Sequence, residues 1–171
     1  GAGFEHAPGY LYTEKAEHLT LLADELDAAR RAGCAVEWVD DVPLPFATKG
    51  GVRWDRQAQV HATGYLAGLA KEAAGRGVEI FERTIVKGVH EGSPCRVETY
   101  THAVTAGHVL VAANVPVNNR VLLHTKIAAY RSYALAIEVE PGYLRGLFWD
   151  TEDPYHYTRP QEAAGKWYAI V

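Results

Sequence analysis

Residues 13–32, TEKAEHLTLLADELDAARRA, place apolar side chains at positions 16, 19, 22, 23, 26 and 29, the spacing of one helical face. Thr13 is a candidate cap, Glu14 and Glu17 suit the positive end, Arg30 and Arg31 suit the negative end, and Gly33 is a natural stop. Short alternating runs at 36–40 and 52–60 read as strands, separated by the proline-held VPLPF. A second helix starts near Thr63, with Tyr65, Leu66, Leu69 and Ala73 on its expected inner face. Gly77 then leads into an expected strand at 78–82, the helix-to-strand step of a parallel unit. Short strands at 85–90, 96–100 and 103–106 form a meander with polar turns. The run at 108–113 is apolar almost throughout, which predicts a strand covered on both faces.

The last third alternates. KIAAYRSYALAIEVE (126–140) reads as one long strand with Arg131 and Tyr133 on the same face, and GLFWD, YHYTR and KWYAIV as further strands of an antiparallel sheet. The fold class expected is mixed α+β, an α/β arrangement of two intertwined lobes. Residues 1–59 and 119–171 build a sheet-rich lobe, and 60–118 belong to a parallel-sheet lobe.

Composition narrows the function. A hydrophobic fraction of 48% and a charged fraction of 22% are those of a globular protein. No apolar run approaches the roughly 18 residues of a membrane span. A net charge of −4 with scattered Lys and Arg argues against a nucleic-acid surface. The two cysteines, Cys34 and Cys95, make no metal or redox spacing, so a reducing cytoplasm is the expected setting. Eight histidines raise a metal question, but only His102 and His108 lie near each other and nothing completes a ligand set. The acidic DTEDP stretch reads as a polar turn before a proline, and His61 as a loop or packing residue. The absence of methionine and the unfinished strand at KWYAIV lead us to expect an internal piece of a longer polypeptide.

The order QVHATGYLAGLAKEAAGRGVEIFERTIVKGV, then a meander, then VTAGHVLVAAN resembles the FAD-dependent amine and amino-acid oxidases, the D-amino-acid oxidase-like superfamily of glycine and sarcosine oxidase. The matching stretches are Gly77–Phe81, Thr84–Val86 and Ala106–Asn114, followed by KIAAYRSYALAIEV and YHYTRPQEAAGKWYAIV. The resemblance implies a partial Rossmann-type FAD lobe beside a substrate lobe. In it the Val86 backbone faces adenine, and the strand end Ala112, Ala113 and Asn114 sits by the cofactor. It also implies oxidation of a small amine or amino acid at its carbon–nitrogen bond, with flavin as hydride acceptor. Ala113-Asn114 stands where the family has Thr-Gly or Ser-Gly, and Arg159-Pro160 reverses the family's Pro-Arg. No G-x-G-x-x-G turn occurs, so the diphosphate anchor is missing and the piece alone is expected neither to retain FAD nor to be active.

Arg131, Tyr133, Tyr155, Tyr157 and Arg159 are the residue types that hold a substrate carboxylate, Arg by its two-pronged fork and Tyr by its hydroxyl. They are equally the aromatic and basic residues of an ordinary sheet. Two alternatives stay open: a non-catalytic mixed-sheet interaction module, and a flavin reductase or monooxygenase component fed by an iron–sulfur domain. An incomplete FAD lobe would also leave an apolar face for homo-oligomer formation.

Overall fold

The computed structural model describes residues 3–114, 128 and 130–171. The chain runs β1 (Glu5–Thr13), α1 (Leu19–Arg31), β2 (Val36–Val39), β3 (Gly50–Gln59), α2 (Ala62–Gly75), β4 (Val86–His90), β5 (Cys95–Thr99), β6 (Ala103–Ala106), β7 (Ala136–Val139), β8 (Leu147–Asp150), β9 (Tyr157–Ala163) and β10 (Lys166–Ile170). Two compact units result: residues 1–71 with 133–171, and residues 72–132. The fold is mixed α+β, and no helix among the described residues is long and apolar enough to cross a membrane.

The first unit is a seven-stranded sheet in the order β2-β3-β1-β8-β9-β10-β7. All of its pairs are antiparallel except β1 with β8, so the expected antiparallel sheet is in fact mixed. β1 is central, yet its sequence does not announce it. Pro8 and Gly9 look like breakers, and the sheet tolerates them because the β1–β3 register shifts between Ala7 and Gly9, where a proline need not donate. Gly9 has a second use: a Cβ there would lie 3.0 Å from the Trp149 ring packed over it.

Helix α1 packs on one face through Leu22, Leu26 and Ala29, against Leu11 and Val52 with Trp38, Trp54 and Trp149 beside them. Burying Leu22 completely contributes roughly 1.5–3 kcal/mol. The helix begins later than its periodicity predicts. Thr13 is not its cap but the last residue of β1, fully buried, and a 3-10 turn at Ala16–His18 intervenes. Gly33, at φ 80°, ends it as expected. The opposite face holds the other core cluster, with Tyr10, Tyr12, Val42, Leu144, Phe148 and Ala169.

The second unit is an antiparallel meander, β4-β5-β6. The Thr99 hydroxyl closes its β5–β6 turn by accepting the His102 N–H at 2.9 Å and donating to the His102 carbonyl at 2.9 Å.

Four expectations fail. Residues 78–82 form no strand; instead the Val78 N–H bonds the Ala73 carbonyl at 3.1 Å and finishes the helix end. Residues 108–113 form no strand either, and Leu110 is 90% exposed, so an apolar run here is not a covered one. The long strand at 126–140 reduces to β7, extended by one pair of bonds between Leu135 and Val171; residues 126, 127 and 129 lie outside the described set. On α2, Tyr65, Leu66 and Leu69 are exposed rather than inward.

Candidate functional site

Ladder register decides which side chains meet. Trp149 opposes Tyr157, Arg159 opposes Ile170, and Gln161 opposes Tyr168, so Tyr157, Arg159 and Gln161 project from β9 on the face that carries Trp149 and α1. Arg159 Nη1 donates to Gln161 Oε1 at 2.6 Å and to Gln59 Oε1 at 3.2 Å. The Gln161 amide in turn donates to the Glu162 carbonyl at 2.8 Å, which fixes its oxygen toward the guanidinium. Arg159 is therefore half-buried, oriented by neutral dipoles, and paired with no carboxylate among the described residues. Its charge remains open to an anion.

Tyr157 adds a phenol on the same face. Burial raises its pKa, with Arg159 pulling the other way, so it stays a protonated donor at neutral pH. It lines a cleft of about 510 Å³ with Leu11, Leu21, Trp149 and Tyr155. Arg159 lines a second cleft, of about 450 Å³, with His61 and Thr63. His61 is more than a loop residue: its Nδ1 accepts the Gly64 N–H at 3.0 Å and caps the start of α2.

Tyr133 is 88% exposed and belongs to the first unit, whereas Arg131 is exposed and belongs to the second. Neither lies in a strand, so the alternation that put both on one strand face is overturned. Val86 opens β4, which among the described residues pairs only with β5; Ala112, Ala113 and Asn114 are exposed and outside regular structure.

One arrangement escaped the sequence. Asp150, read as part of a polar turn, ends β8 with its side chain only 10% exposed. Its Oδ1 accepts the N–H groups of Glu152 and His156 at 3.1 and 3.0 Å, and its Oδ2 lies 2.7 Å from His156 Nδ1. An acidic residue six positions before a histidine was the available signal, but a turn accounts for it equally well.

Comparison with known proteins adds the lineage. A Bacillus subtilis (strain 168) protein described as "Putative Rieske 2Fe-2S iron-sulfur protein YhfW" is 26% identical over 147 residues, which is 85% of this chain and 29% of that protein. Among solved structures, glycine oxidase from Geobacillus kaustophilus matches at TM-score 0.77 and 18% identity, and glycine oxidase from Bacillus cereus ATCC 14579 at 0.77 and 17%; each match covers 99% of this chain and 48% of theirs. L-proline dehydrogenase from P. horikoshii matches at 0.73 and 15%, over 99% of this chain and 49% of its own. The chain thus has the glycine oxidase fold while spanning about half the length of those proteins. The family model "DAO: FAD dependent oxidoreductase" matches residues 2–168, nearly the whole sequence, and the chain belongs to that family.

Proposed function

We propose that this chain is the substrate-side part of an FAD-dependent oxidoreductase that oxidises a small amine or amino acid at its carbon–nitrogen bond, with residues 60–118 on the FAD side. FAD, when bound, supplies the hydride acceptor. The work of this chain is to bind, orient and exclude water. Arg159 holds the substrate carboxylate in its fork, Tyr157 on the same strand face donates a hydrogen bond beside it, and Trp149 and Leu11 wall the neighbouring cleft that Tyr157 lines. Val86 and Ala112–Asn114 are proposed as FAD contacts, and Arg131 and Tyr133, both exposed, as further substrate contacts of the intact protein.

The observation that carries this reading is the Arg159 guanidinium, aimed by two amide oxygens and balanced by no carboxylate among the described residues. In the full-length protein, Arg159→Ala should lower kcat/KM for an amino acid roughly 10- to 100-fold. The amine lacking the carboxylate should be oxidised as before, and Arg159→Lys should recover only part. Equal losses for both substrates would end the carboxylate assignment. For the chain alone we expect no saturable FAD binding tighter than about 1 mM, and yellow protein straight from purification would overturn that. A second reading is favoured by the likeness to YhfW: the same flavin lobe served by an iron–sulfur domain. Electron paramagnetic resonance of the reduced full-length protein decides whether such a cluster is present. If the chain is instead a non-catalytic module, neither flavin nor turnover will be found in the full-length protein.

A further inference from the structure

On the sheet face opposite Arg159 lies a cleft of about 360 Å³ whose walls include Tyr12, Phe46, Tyr143 and Leu144, with Glu14 and His156 also lining it. Its volume is at the small end of ligand pockets, enough for a one-ring molecule. Tyr12 and Phe46 stand with ring centroids 5.9 Å apart, so two aromatic surfaces border the space.

Glu14 and Asp150 are carboxylates, and both act on Tyr12, whose phenol is raised mainly by burial and further by these two charges. Asp150 does two separable jobs. Its Oδ1 alone accepts both backbone N–H groups and so closes the turn; Oδ2 is left for His156. A carboxylate only accepts, so Nδ1 carries a proton toward Asp150, and in the neutral ring Nε2 is then the acceptor. That Nε2 has no partner among the described residues, and the ring is 64% exposed. The cleft therefore offers an oriented acceptor, carboxylate charge and aromatic faces, and lacks a cation of its own among the residues that line it.

We propose that this cleft binds a primary or secondary organic ammonium with a compact apolar body. One N–H bonds His156 Nε2, the positive charge is offset by Glu14 and Asp150, and the body packs against Tyr12, Phe46 and Tyr143. The groups that set its pH response are Tyr12, Glu14, Tyr143, Asp150 and His156. Asp150 borders this cleft and the one beneath Trp149, but Arg159 lines neither, and the site does not depend on the carboxylate reading, so Arg159→Ala should leave it unchanged.

The test is side-chain nitrogen NMR of this chain during titration with 2-phenylethylammonium. The His156 Nε2 signal should move saturably toward the hydrogen-bonded position, together with ring signals of Tyr12 and Phe46. The trimethylated analogue, which has no N–H to donate, should move the rings but not Nε2. Asp150→Asn keeps an oxygen for the turn and presents an amide N–H to Nδ1, which inverts the tautomer and should weaken the Nε2 response at least about tenfold, as removing the orienting carboxylate of a histidine does elsewhere. Glu14→Gln, exposed and outside the turn, should weaken binding several-fold without touching the tautomer. No saturable shift up to about 10 mM probe, or an Asp150→Asn protein with intact backbone spectrum and unaltered response, would overturn the proposal.

Discussion

Tyr10 and Phe148 stack across the parallel β1–β8 pair, their ring centroids 5.1 Å apart and their planes 10° from parallel. Phe148 is fully buried, so Phe148→Ala should destabilise the fold by about 3–5 kcal/mol, more than any exposed substitution. Gly146 guards the same pair. At φ 144°, with a Cβ that would sit 2.8 Å from Tyr10 Cε2 and 3.0 Å from the Pro8 carbonyl, it has no room for alanine. Gly146→Ala should cost about 1–3 kcal/mol, read by urea unfolding. A neutral Gly146→Ala would show that Tyr10 has space to withdraw.

Thr13 joins β1 to the turn after β8. Its Oγ1 accepts the Lys15 N–H at 3.1 Å and the Thr151 hydroxyl at 2.9 Å, and Thr151 in turn meets His18 Nδ1 at 2.8 Å. Thr13→Val keeps the shape and leaves those donors unmatched, so the loss should be about 1–3 kcal/mol. Thr13→Ser should restore most of it. If valine is as stable as threonine, the network contributes nothing net.

Tyr12 should make the protein sensitive to alkali. Burial, with the charges of Asp150 and Glu14, pushes its pKa up to about 12 from 10.0. The raised value means the folded state favours the neutral phenol. Its contribution is fully present below pH ~10 and is lost as pH rises toward ~12, by about 2–3 kcal/mol. Phenolate absorbance should show a tyrosine titrating near 12 that Tyr12→Phe removes, and Tyr12→Phe should flatten the alkaline fall in unfolding midpoint. A Tyr12 that ionises with the exposed tyrosines contradicts this.

The second unit should promote self-association. Phe81, Ile85 and Leu110 are 68, 67 and 90% exposed there, more apolar surface than a small unit usually leaves in water. Light scattering should report mass rising with concentration, and Leu110→Asp should reduce it. A monomer at every concentration, in the wild type, would argue against it.

What the sequence determined by itself is local. The apolar positions 22, 26 and 29 recur at helical spacing, and they are the residues α1 buries, because helical periodicity depends only on near neighbours along the chain. The meander β4–β6 and the strands β8 to β10 were legible for the same reason: alternation and turn residues are short-range signals. The order of motifs also carried the family.

Tertiary structure decided the rest. β1 was hidden because Pro8 and Gly9 break a strand pattern unless a partner supplies a bulge, and that partner lies some fifty residues on, in β3. The run at 108–113 looked buried, but burial is set by what lies opposite a side chain, which composition does not specify. Arg159 acquires its meaning from Gln59, a hundred positions earlier, and Asp150 from a turn that brings His156 back to it. Such pairings follow from strand order and register, and a linear sequence does not state either.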